Sequence, residues 1–211
     1  MKILCVSDQI DPLIYTNSLK ERCAGVDLIL SAGDLPVDYH DFIVSALKKP
    51  LFFVLGNNYT DNHTDRGETA HIDKKVCYET GLIVAGLGGT VKYAKYNTRL
   101  NRGENQFTDF QMNIQIIKLL PSLVYNRLFR GRFLDILLTH ASPRGIHDKN
   151  DEYRRGFKGF LWFMRAFKPR YLVHGHIHLY DSPETRSTKY FSTTVVNAFG
   201  HYILNLNTGN G

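Results

Sequence analysis

The chain of 211 residues is 43% hydrophobic and 22% charged, which excludes a disordered or low-complexity protein and allows a substantial buried core. Three cysteines, Cys5, Cys23 and Cys77, are odd in number and form no CxxC pair, arguing against a disulfide framework and for a reducing, cytoplasmic setting. The net charge of +6 favours anionic partners such as phosphate compounds or nucleic acid, whereas no leader sequence precedes Asp8 and no apolar run reaches membrane-span length.

Residues 2–6 form a short apolar run with β-branched members, which predicts a buried strand ending at Ser7 and Asp8. A helix is expected over residues 12–23, with Pro12 in its first turn. Residues 26–30 repeat the strand pattern and end at Ser31-Ala32-Gly33-Asp34; residues 38–47 read as a helix; residues 50–55 form a third apolar run ending at Gly56-Asn57-Asn58. A long polar loop over residues 59–75 follows, in which His63 and His71 are expected to be solvated.

Strands are expected at residues 76–78 and 82–87, and residues 92–106 are irregular and rich in Tyr, Asn and Arg. Thr108 is placed to cap a helix over residues 108–120, with Phe110, Ile114, Ile117 and Leu120 on one side. Residues 133–138 are apolar and end at Thr139-His140. Residues 157–167 read as a helix with Trp162 and its phenylalanines in the core. The run 170–173 meets His174-Gly175-His176-Ile177-His178, and the tail alternates like antiparallel strands closing a sheet. No composition shift or linker divides the chain, so one domain over residues 1–211 is expected. The basic residues are dispersed. The densest cluster, Arg154-Arg155-Gly156-Phe157-Lys158, reads as surface charge.

Five apolar runs end alike, each followed within a few residues by a metal-ligand type: Asp8, Asp34, Asn57, His140, and the pair His176 and His178. In open α/β sheets ligands bind beyond the carboxyl ends of strands, so these ends would gather their polar groups into one site. Carboxylates that can bridge two cations about 3.5–4 Å apart, with imidazoles beside them, suit phosphate-ester hydrolysis at a pair of divalent metals. The mixed oxygen and nitrogen set fits manganese, iron or zinc better than magnesium.

The order Asp8, Gly33-Asp34, Gly56-Asn57, Thr139-His140, Gly175-His176-Ile177-His178 resembles the calcineurin-like metallophosphoesterases, whose motifs are D-x-H, G-D, G-N-H, a lone H, and G-H-x-H. The segment 138–148, followed by 155–158, is similar to a branch of small single-domain members. The resemblance implies a four-layer α/β/β/α sandwich with two mixed sheets and the metal site at the carboxyl ends of the strands. It implies a phosphomonoesterase or phosphodiesterase that works through a hydroxide held on the metals, with a phosphorylated small molecule or nucleotide as substrate. By motif, Asp8 would ligate the first metal, Asp34 would bridge, Asn57, His140 and His176 would hold the second, and His178 would return to the first. His174 falls outside the motif and reads as a group orienting a ligand.

Two positions depart from the family pattern. Ile10 stands where the family supplies a histidine ligand to the first metal, so one ion is expected to bind firmly and the other weakly unless Gln9 or Asp11 substitutes. Asn58 stands where the family has a catalytic histidine; an amide cannot act as a general acid near neutral pH, and such a group contributes ~10²–10⁴-fold. His63 and His147 are the histidines that could replace it. A degenerate protein that binds metal and a phosphorylated ligand without turnover is therefore the alternative to an enzyme. A nucleic-acid-binding role is motivated by charge alone.

Overall fold

The computed structural model describes residues 1–57, 67–92, 105–180 and 185–206. The first apolar run forms β1 (Lys2–Ser7), buried throughout after Lys2 because both faces of its sheet are covered. The expected helix after it shrinks to α1 (Leu19–Arg22). Asp11 takes over the preceding residues: its side chain accepts from Leu13 N and its carbonyl from Ile14 N and Tyr15 N, a local turn that competes with the helix. Next come β2 (Val26–Ser31), α2 (Val37–Leu47) and β3 (Leu51–Phe53).

Inside the expected long loop lies β4 (Thr69–His71), paired in parallel with β3. His71 is not a solvated loop residue; its ring stacks on Phe53 at 5.1 Å and its Nε2 lies 3.0 Å from Asp73. Strands β5 (Val76–Glu79) and β6 (Leu82–Leu87) form a hairpin, and β7 (Thr90–Val91) pairs with β8 (Gln106–Phe107). Thr108 caps the 22-residue α3 (Asp109–Arg130) through a reciprocal box: its hydroxyl accepts from Gln111 N at 3.1 Å and its own N donates to Gln111 Oε1 at 2.9 Å. The remaining elements are β9 (Ile136–Thr139), α4 (Lys158–Phe167), β10 (Tyr171–His174), β11 (Ser187–Tyr190), β12 (Thr193–Asn197) and β13 (Gly200–Asn205).

One sheet runs β13-β1-β2-β3-β4 and the other β11-β12-β10-β9-β6-β5. Both are mixed: β1 to β4 are parallel with β13 antiparallel at one edge, and β6, β9, β10 and β12 are parallel with antiparallel β5 and β11 outside them. The tail therefore does not close one sheet. Its β12 joins β10, and β13 crosses to β1 in the other sheet.

Three apolar clusters order the layers. Leu4, Val6 and Ile29 pack on Tyr39 and Ile43 of α2; Cys5, Leu28 and Leu30 face Val84, Leu138 and Val173 between the sheets; Ala85, Leu137 and Leu172 pack on Ile116 and Leu119 of α3 and Phe160 and Phe163 of α4. Helices thus cover the outer face of each sheet, an α/β/β/α arrangement that lets parallel strands be apolar on both sides.

The side of α3 that carries Phe110, Ile114 and Ile117 faces outward, and Met112, Ile116, Leu119 and Leu123 face the core. The helix also continues past Leu120 through Pro121, which lies on the exposed side. Trp162 is likewise at the surface, its Nε1 donating to Asn113 Oδ1 at 3.2 Å, while Phe160 and Phe163 are buried.

Candidate metal centre

The carboxyl ends of β1, β2, β9 and β10, with the turn after β3, bring the strand-end residues together. Asp8, Asp34 and His176 all adopt left-handed backbone conformations, with φ of 63°, 57° and 65°. Each costs a non-glycine residue roughly 1–3 kcal/mol, a strain that collects at functional sites. Two motif glycines are required by close approach. A Cβ at Gly56 would collide with the Asp34 carboxylate, and one at Gly175 would strike Ser7 Oγ and come within 2.5 Å of Asp8 Oδ2.

Asp8 Oδ2 accepts from Ser7 Oγ at 2.5 Å and from His176 N at 2.8 Å. Its other oxygen, Oδ1, is buried without a hydrogen-bond partner and lies 3.6 Å from His178 Nε2. His140 Nδ1 donates to the Ala32 carbonyl at 2.6 Å, which turns Nε2 toward Asp34 Oδ2 at 3.4 Å and Asn57 Oδ1 at 3.3 Å. One donor atom each from Asp8, Asp34 and His140 lie within 4.8 Å of one another, the group among the described residues spaced to hold a metal ion. The His176 ring centre is 5.0 Å from that of His140. Its Nε2 donates to the Tyr153 carbonyl at 2.7 Å, leaving Nδ1 with a lone pair.

Electrostatics within the cluster reflect two carboxylates beside buried imidazoles. Burial pulls the His140 pKa down, but the charge of Asp34, a hydrogen bond to it and the charge of Asp8 outweigh burial and raise it to about 9. Burial, and then the His140 charge, push His176 down to about 4, so His176 is neutral near pH 7. Burial raises the Asp8 pKa, yet the His178 imidazole 3.6 Å away and the charge of His140 leave it below the usual carboxylate value.

The structure therefore brings Asp8, Asp34, Asn57, His140, His176 and His178 to one place, and Asn58 lies outside the described residues. His174 is set apart: it is buried, its Nδ1 donates to the Gly175 carbonyl, and its Nε2 accepts from His147 Nδ1 at 2.8 Å. His147 Nε2 in turn accepts from Thr188 Oγ1 at 2.9 Å. Both ring nitrogens of His147 thus serve an inward chain, which removes it as a stand-in for the missing acid. His63 lies outside the described residues.

Neither neighbour of Ile10 joins the cluster. Asp11 accepts from His201 Nδ1 at 2.6 Å, Gln9 is exposed, and Ile10 itself is exposed. Ser7 and the Tyr153 carbonyl, which fix Asp8 and His176, carried no signal in the sequence beyond Ser7 preceding an aspartate. The orphaned Asp8 Oδ1 and the His140 Nε2 that faces Asp34 and Asn57 suit a divalent cation.

A sequence model described as calcineurin-like phosphoesterase matches residues 1–180. The chain belongs to this family. Its fold is similar to the crystal structure of TT1561 of Thermus thermophilus, at 14% identity and a TM-score of 0.62, covering 94% of this chain and 88% of that one. Vps29 of Entamoeba histolytica, crystallised with zinc, is 11% identical with a TM-score of 0.46, covering 99% and 88% of the two chains. No curated protein matches the sequence significantly. Family membership makes divalent metal binding and phosphate-ester chemistry the frame for the cluster, and among the described residues no helix is long and apolar enough to cross a membrane.

Proposed function

We propose that the protein hydrolyses a phosphomonoester or phosphodiester at this cluster, with Asp34, Asn57, His140 and His176 holding one divalent cation firmly and Asp8, Asp34 and His178 holding a second weakly. The observation that carries this reading is the convergence of Asp34 Oδ2 and Asn57 Oδ1 on His140 Nε2, beside the partnerless Asp8 Oδ1. Bound cations supply positive charge for phosphate oxygens and acidify water. The chain's own residues orient the site: the Ala32 carbonyl fixes the His140 tautomer, the Tyr153 carbonyl fixes His176, and Ser7 holds the Asp8 carboxylate.

The weak first site follows from Ile10, which cannot coordinate, and from Asp11 being engaged by His201. The test is hydrolysis of an aryl phosphodiester by metal-stripped protein with manganese restored, beside Asp34→Ala. Equal background rates for the two proteins across several metals would sink the proposal.

Ile10 and Asn58, which stand where the family has a metal-ligand histidine and a catalytic histidine, favour a second reading, a protein that binds metal and a phosphorylated ligand without turning it over. Saturable, manganese-dependent binding of a phosphate ester with no product formed would select it.

A further inference from the structure

We infer that α3 is the seat of a two-fold homodimer, in which the outward apolar face of one copy's helix packs antiparallel on the same face of a second copy. The helix carries two apolar stripes. Met112, Ile116, Leu119 and Leu123 are buried in the core, whereas Phe110, Ile114, Ile117, Val124 and Leu128 are 72%, 39%, 54%, 48% and 73% exposed. With Pro121, the outward stripe has the spacing 4-3-4-3-4, the heptad a/d pattern by which helices pair. A helix needs one apolar stripe to dock on its own domain; the second asks for another helix.

The face also has the size of an interface. Residues 110 to 128 span about 27 Å at 1.5 Å per residue. Its exposed apolar surface is roughly 500 Å² per copy, at the upper range of patches on monomers. Two such faces give roughly 1,000 Å², the threshold below the roughly 1,200–2,000 Å² that specific interfaces bury, and the exposed Tyr125 and Phe129 beside the stripe add to it.

Antiparallel pairing about Leu119 sets Phe110 against Leu128 of the second copy, Ile114 against Val124 and Ile117 against Pro121. In this orientation the helix dipoles also oppose one another, whereas in a parallel pair they would lie side by side in the same direction.

The test is analytical ultracentrifugation of the full chain from low to high micromolar concentration, with Ile117→Lys beside wild type. Wild type should sediment as a dimer. Ile117→Lys, with an unchanged circular-dichroism spectrum, should raise the dissociation constant about a hundredfold or more. A Cys77→Ser background then reads the orientation: an equal mixture of Phe110→Cys and Leu128→Cys chains should oxidise to mixed-chain disulfide dimers, and neither variant alone should cross-link. Wild type that stays monomeric over the whole range, Phe110→Cys that cross-links to itself, or a monomer that instead binds vesicles of anionic phospholipid through this face would each overturn the inference.

Discussion

His140 Nε2 lies 3.4 Å from Asp34 Oδ2 while His140 Nδ1 donates to the Ala32 carbonyl, so in the metal-free protein an imidazolium takes the place beside the carboxylates that a cation would fill. The raised pKa of about 9 fixes the sign of two effects. A histidine whose folded pKa lies above its ordinary 6.5 contributes stability that is fully present below 6.5 and is lost as pH rises through about 9. Metal-free protein should therefore lose thermal stability between pH 7 and 9 through this group, and His140→Gln should flatten that part of the profile. Metal loading at pH 7 should release this proton, and its apparent affinity should fall by up to about tenfold per pH unit below 9. Calorimetry in two buffers of different ionisation enthalpy measures the release; loading with no proton released would contradict the assignment.

Ile10→His restores the family's ligand at an exposed strand-end position. It should strengthen the weaker metal site by about tenfold or more, the scale at which even indirect partners of a ligand act. Titration of stripped protein with manganese, followed by hydrolysis of an aryl phosphodiester, should show a second ion binding more tightly and faster turnover. An unchanged titration would show that the first site does not depend on this position.

Gly175→Ala drives a methyl group into Ser7 Oγ and the Asp8 carboxylate. The displaced carboxylate should weaken metal binding, and crowding of this kind typically costs 1–3 kcal/mol, so about 1–3 kcal/mol of stability should also go. Thermal melting with and without manganese separates the two losses.

The orientation of α3 is tested by a pair of alanine substitutions in dilute protein. Leu119→Ala, at a buried position, should cost about 2–5 kcal/mol, whereas Ile117→Ala, half-exposed, should stay within about 0.5 kcal/mol. Denaturant unfolding that reversed this order would turn the helix around.

The strand-end residues that converge in the cluster were legible because each sits where an apolar run stops, and stopping is a local property. Asp8, Asp34 and His140 needed no knowledge of the fold beyond strands that share a direction. The stripe of α3 that meets the core was not legible, because Phe110, Ile114 and Ile117 repeat with the same period as Met112, Ile116 and Leu119, and tertiary packing chooses between them. Strand β4 hid in a polar stretch because its Thr69-Ala70-His71 sequence is too short to alternate visibly. The link from His174 to His147 joins residues 27 positions apart, and no local pattern announces it. The expected helix before Cys23 failed to a side-chain turn at Asp11, a competition that helical periodicity alone does not register.

Metal content tests the central claim most directly. Protein purified without added metal and measured by plasma mass spectrometry should carry about one manganese, iron or zinc ion per chain, held at Asp34, Asn57, His140 and His176; Asp34→Ala should carry almost none, and Ile10→His should approach two. Two ions in wild type would mean that another group replaces the missing histidine. Metal content left unchanged by Asp34→Ala would contradict the site itself.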